Sequence, residues 1–89
     1  MNRSDESLIT YPCDFPIKIM GVTQESFAQT MVELVRLHDP EFDATKMEIR
    51  PSAKGNYLSL TVTVRATSRE QLDNLYRTLS SHAMVKVVL

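Results

Sequence analysis

The reactive side chains of this 89-residue chain are few: one cysteine, Cys13, and two histidines, His38 and His82. A cysteine nucleophile needs a base within hydrogen-bond reach. Nothing in the spacing of these three residues brings a base to Cys13. His38 suits the C-terminal end of a helix, where a cation meets the negative end of the macrodipole. Asp39, Glu41 and Asp43 alternate like the opening of a calcium loop. Such a loop requires a glycine at its tight turn and a late bidentate glutamate, and Pro40 and Ala44 break the pattern. A solvated acidic loop is the plainer reading. The usual zinc ligand sets are missing, so no metal or cofactor is expected. With no nucleophile–base pair, the sequence favours a non-enzymatic protein.

Anion binding is the other chemistry available. The two glycines, Gly21 and Gly55, form neither of the common phosphate-binding loops. Each lies in a connecting segment: Gly21-Val22-Thr23 precedes a helix, and Lys54-Gly55-Asn56 closes a hairpin. Free backbone N–H groups at a helix start, with a lysine nearby, suit a carboxylate or phosphate. Gly21, Val22, Thr23, Lys54, Gly55 and Asn56 are therefore the candidate ligand-binding residues. The plainer alternative is that the glycines only make turns and Thr23 only caps its helix.

The elements that must position these groups follow from periodicity. Phe15, Ile17 and Ile19 alternate with Lys18 and Met20 in a short strand that Gly21 ends. Thr23 is a good N-cap, with Phe27, Met31, Leu34, Val35 and His38 at helical spacing behind it. Pro40 stops that helix. Met47 and Ile49 alternate with Glu48 and Arg50, and Pro51 marks an edge strand. Leu58, Leu60, Val62 and Val64 alternate with Tyr57, Ser59, Thr61, Thr63 and Arg65, the clearest strand in the chain. Thr67 with Glu70 and Ser68 with Gln71 are overlapping capping boxes, followed by the stripe Leu72, Leu75, Tyr76 and Leu79. Val85, Val87 and Leu89 alternate with Met84, Lys86 and Val88 in a last strand.

The order strand-helix-strand-strand-helix-strand, with one apolar face per element, predicts an α+β fold of the ferredoxin-like βαββαβ type. Right-handed crossovers give an antiparallel four-stranded sheet of order 4-1-3-2 with both helices on one face. Residues 1–10 read as a flexible tail and 11–89 as one domain. The open face would carry Lys18, Met20, Arg50, Tyr57, Arg65, Lys86 and Val88. An RNA-binding sheet stacks bases on two or three aromatics, and this face has one. A nucleic-acid module using Lys18, Arg50, Tyr57, Arg65 and Lys86 is thus the runner-up. Nucleic acid is not the expected partner.

Residues 15–21 (Phe-Pro-Ile-Lys-Ile-Met-Gly), residues 51–57 (Pro-Ser-Ala-Lys-Gly-Asn-Tyr) and the terminal Val-Leu resemble the YbeD-like family of small bacterial proteins. The likeness runs over residues 11–89. The family is similar in fold to ACT-type regulatory domains, which bind small ligands between paired domains. It implies no catalytic residue, and it carries a link to control of lipoate metabolism. Ala53 stands where the family pattern has serine, which removes a hydroxyl from the hairpin. The resemblance implies a regulatory module acting through a protein partner, a homodimer or a small anionic metabolite.

The net charge of -1 excludes a strongly basic nucleic-acid binder, but it conceals a balance of -5 over residues 1–45 and +4 over 46–89. One cysteine allows no internal disulfide and fits a reducing cytoplasm. The opening Met-Asn-Arg-Ser-Asp-Glu-Ser has no apolar run behind a basic start, and no stretch reaches membrane-spanning length. A cytoplasmic protein that does not enter the membrane is expected.

Overall fold

The strict alternation from Tyr57 onward becomes a ten-residue strand at the middle of the sheet. In the computed structural model, which describes residues 9–89, the elements are β1 (Cys13–Val22), α1 (Phe27–His38), a 3-10 turn (Ala44–Lys46), β2 (Glu48–Pro51), β3 (Tyr57–Ala66), α2 (Arg69–Ser80) and β4 (Val85–Val88). Most of the tail read in residues 1–10 lies outside the described residues. β1 and β3 pair antiparallel along their whole lengths, from Cys13 opposite Ala66 to Val22 opposite Tyr57. The four-residue strands β2 and β4 flank them, giving the order β2-β3-β1-β4 with antiparallel pairing throughout, the sheet anticipated from the sequence. No helix of the described residues is long and apolar enough to cross a membrane.

Period two then sorts the side chains. Ile17, Ile19, Leu60, Val62 and Val64 are fully buried, together with Phe27, Met31 and Val35 of α1 and Leu75 and Leu79 of α2. Each fully buried aliphatic or aromatic side chain of this size contributes about 1.5–3 kcal/mol by leaving water. Phe42 and Asp39 are buried as well, so the loop after α1 is not wholly a solvated acidic segment. Phe42 adds apolar surface to the core. The Asp39 carboxylate accepts the Arg65 backbone N–H at 2.9 Å.

Three local expectations are corrected. Gly21 does not end the first strand, since β1 runs on to Val22. A Cβ at Gly21 would lie 2.7 Å from the Phe27 ring and collide with the Met84 carbonyl. The glycine is there to let two neighbours close in. Thr23 does not cap α1, whose first residue is Phe27 and whose N-cap position is Ser26, without a side-chain cap bond. The Thr23 N–H instead donates to the Asn56 carbonyl at 2.9 Å, which holds residue 23 with the sheet. The third concerns β4. Ile19 faces Val88 and Met20 faces Val87, but Gly21 faces Val85, so Lys86 is an extra residue in a β-bulge. The bulge shifts the alternation. Val85 and Val88 pack on the core, whereas Val87 is 43% exposed and Leu89 is 65% exposed.

At α2, Ser68 is the N-cap, and the Gln71 side chain reaches back past it to Thr67, so only half of the expected Ser68–Gln71 box forms. Ser68 Oγ accepts the Gln71 N–H at 3.0 Å, and Gln71 Oε1 accepts the Thr67 N–H at 2.6 Å. The Gln71 amide also donates to the carbonyls of His38 at 2.8 Å and Arg65 at 3.1 Å. One side chain thus joins the end of α1, the end of β3 and the start of α2.

Candidate functional site

The β1–α1 connection and the β2–β3 turn meet at one end of the sheet. In the turn, Gly55 has φ +78°, a backbone region that an L side chain resists. The Gly55 N–H donates to the Ser52 carbonyl at 2.9 Å, and the Tyr57 N–H donates to Ser52 Oγ at 3.1 Å. The Thr23–Asn56 bond ties this turn to the segment entering α1. Of the six candidate residues, Thr23, Lys54, Gly55 and Asn56 are exposed at this end. Val22 is exposed beside Tyr57, its partner across the β1–β3 ladder. Gly21 is buried behind them, beneath Phe27 and the Met84 carbonyl.

The other reactive groups are held locally. His38 Nδ1 lies 3.3 Å from the Leu34 carbonyl, and His82 Nδ1 accepts the Met84 N–H at 3.1 Å. Cys13 is a half-buried free thiol. Among the described residues, no group of three or more His, Cys, Asp or Glu side chains could hold a metal ion.

The helix-free face of the sheet carries a second cluster. The ladders place Arg50, Ser59, Met20 and Val87 in one row, and Glu48, Thr61 and Lys18 in the next. Lys18 and Leu89 exchange two backbone hydrogen bonds, of 3.1 and 2.8 Å, which set Leu89 at the end of that second row. Around these residues lies a depression of about 290 Å³, whose wall includes Lys18, Met20, Arg50, Tyr57 and Leu89. A smaller, polar hollow adjoins it, between Lys18, Glu48, Arg50, Ser59 and Thr61.

Three of the five residues of the nucleic-acid alternative, Lys18, Arg50 and Tyr57, therefore line one depression. Arg65 stands apart at the opposite end, 3.1 Å from the Asp14 carboxylate. Lys86 occupies the β4 bulge. Leu89 and Val87 were not legible as open-face residues, because the bulge that places them has no signal in the run of valines.

The end with Arg65 gathers Asp14, Asp39, Glu41 and Asp43 together with Lys46. The Thr45 hydroxyl and backbone N–H both donate to Asp43, which holds its carboxyl below the ordinary value. Tyr76, half-buried on α2, has its phenol pushed up by desolvation.

The family described as "Protein of unknown function (DUF493)" matches residues 6–89. A relative from Janthinobacterium sp. (strain Marseille), called a UPF0250 protein, is 68% identical over 84 residues, 94% of this chain and 92% of its own. One from Paraburkholderia phytofirmans, with the same description, is 62% identical over the full 89 residues of both chains. Among solved structures, protein HP0495 from H. pylori superposes with a TM-score of 0.74 at 20% identity, covering 91% of this chain and 85% of that one. The ACT domain from the GTP pyrophosphokinase of Chlorobium tepidum does so with a TM-score of 0.58 at 20% identity, covering 86% and 97%. Both likenesses concern the fold.

Proposed function

We propose, from the premise that the chain belongs to this DUF493 family, that it is a non-enzymatic regulatory module that takes up a small anionic metabolite at the turn end of its sheet. The Thr23–Asn56 hydrogen bond carries the reading. It brings the β1–α1 connection and the Lys54 turn side by side, next to the positive end of the α1 macrodipole. A bound carboxylate or phosphate would meet the exposed Lys54 ammonium. The ACT-like fold supports a regulatory role of this kind, exerted on a protein partner or through self-association. The setting we infer is the cytoplasm, which the lone Cys13 suits, and control of lipoate metabolism, which the family resemblance suggests.

Inorganic phosphate titrated into the protein, with amide NMR signals followed, tests the reading. Shifts centred on Val22, Thr23, Lys54, Gly55 and Asn56, reduced several-fold in Lys54→Gln, are expected. Shifts confined to other parts of the sheet would sink it. The convergence of Lys18, Arg50 and Tyr57 favours nucleic acid as the second reading. A gel shift with single-stranded RNA at low salt separates the two, since a backbone-tracking surface loses affinity steeply as salt rises.

A further inference from the structure

The two histidines make hydrogen bonds of opposite polarity. A neutral imidazole has one N–H donor and one bare acceptor nitrogen, whereas an imidazolium has two donors and no acceptor. His38 Nδ1 lies 3.3 Å from the Leu34 carbonyl, which can only accept, so this nitrogen carries the proton. A second proton on that ring leaves the bond in place, and the C-terminal end of α1 favours the charge. His82 Nδ1 instead accepts the Met84 N–H at 3.1 Å, so this nitrogen is bare and the ring proton sits on Nε2. Protonating His82 removes the acceptor and sets two N–H groups against each other. The Met84 N–H has no backbone acceptor among the described residues to replace it. His82 is half-buried in the turn between α2 and β4. Its own N–H donates to the Leu79 carbonyl at 3.2 Å, and its carbonyl accepts the Val85 N–H at 3.0 Å. The ring bond closes the same turn through the side chain. Just beyond it the Met84 carbonyl stands against Gly21, and Val85 faces Gly21 across the ladder. This turn therefore sets where β4 joins β1.

We propose that His82 is a proton-sensitive latch on the last strand. With the ring neutral, Nδ1 holds the Met84 N–H and fixes the entry into β4. With the ring protonated, that bond is lost and the start of β4 loosens from β1. Imidazole is the side chain that changes charge between about pH 5 and 8, so the latch works in the physiological range. β4 is a fitting element for it: the strand is four residues long, and its pairing with β1 already slips at Lys86, next to the turn. Loosening begins at the Gly21–Val85 pair and leaves the long β1–β3 ladder intact. The charged groups of the elements that meet here are Arg77 on α2, Lys86 in the β4 bulge and Glu25 ahead of α1, with Lys54 beyond the β1–α1 connection. β1 contributes Gly21 and Val22, without charge. Arg77 donates to Asn74 Oδ1 at 3.0 Å. None of the four is ion-paired with His82 among the described residues, so the Met84 bond is the contact that a ring proton changes.

The latch is independent of the turn-end reading, because neither Lys54 nor a bound anion takes part in it. NMR of the full chain tests it with two readouts: the ring nitrogen shifts of both histidines, and amide hydrogen exchange at about pH 7.5 and pH 5, corrected for the intrinsic effect of pH on each amide. Near neutral pH, His82 should be the Nε2–H tautomer and His38 the Nδ1–H tautomer. On acidification, protection at Met84 should fall about fivefold, the equivalent of one ordinary hydrogen bond. Val85 should follow, while β3 keeps its protection. His82→Asn puts a carbonyl oxygen where Nδ1 stood, an acceptor that reaches the N–H two residues on and does not titrate in this range. Its Met84 protection should be the same at both pH values. The Nδ1–H tautomer at His82 overturns the latch without recourse to a variant. So does unchanged Met84 protection in the native chain, or an Asn variant as pH-sensitive as the native one. Protection lost evenly across β3 and β4 would assign the response to the whole fold, and it overturns the latch too. Phosphate shifts at residues 54–56 would leave the turn-end reading standing in any of these cases.

Discussion

Two glycines, similar in sequence, have opposite reasons to be glycine. Gly55 needs its backbone: at φ +78° in open surroundings, any side chain is strained by conformation and not by contact. Gly21 needs its lack of volume, because a methyl there meets the Phe27 ring and the Met84 carbonyl, and a carbonyl in the backbone cannot swing aside. The sequence offered turn chemistry for both and could not separate them, since the crowding at Gly21 comes from residues distant in the chain. Gly21→Ala should therefore cost about 2–3 kcal/mol, the upper part of the range for overpacking a tight core. A urea midpoint reads this directly, with the slope unchanged if only the native state is strained. A loss of a few tenths of a kcal/mol would show that Phe27 and the segment before β4 give way easily.

At the scale of elements, legibility followed locality. β3 was plain because its alternation needs no partner to be seen, and α2 was plain because Ser68 and Gln71 lie three residues apart. In β4 the strict alternation expected from the sequence slips by one residue after Lys86. A bulge is a relation between two strands, and the valines look alike on either face. Asp39 belongs by its local sequence to a solvated acidic loop, yet it accepts the Arg65 N–H from 26 residues away. That bond sets up a comparison at a single partner. Arg65 also meets Asp14 through its side chain, but both side chains are more than half exposed. An exposed ion pair contributes about 0–1 kcal/mol, whereas a backbone N–H deprived of a buried acceptor costs about 1–3. Asp39→Ala should thus lower stability clearly more than Asp14→Ala and speed hydrogen exchange at the Arg65 amide. Asp39→Asn, which keeps an acceptor, should fall between them. Equal losses for the two alanine variants would mean that the Asp39 bond is no stronger than the surface pair.

The molecule as a whole turns the near-zero charge into a pattern: Lys54 at the turn end, Lys18 and Arg50 on the open face, and the carboxylates of Asp14, Asp39, Glu41 and Asp43 at the far end with Arg65 and Lys46 among them. Among the described residues, β2 and β4 are the outer strands of the sheet, and an outer strand is a template for another chain. The Ser52 N–H donates inward to the Tyr57 carbonyl, which fixes the phase of β2. Counting back in twos, Arg50 and Glu48 also turn their backbone groups toward β3, and Ile49 and Pro51 turn theirs outward. Proline has no N–H, so the outer edge of β2 offers one donor where any other residue at 51 would give two. On the opposite edge, the bulge at Lys86 interrupts β4. Proline at an outward position is a means by which edges avoid pairing. Pro51→Val should then raise concentration-dependent association above that of the native chain, as a higher average mass in light scattering, while the fold and its stability change little. The same mass for both chains across the concentration range would assign the protection to the shortness of β2, four residues, and not to its proline.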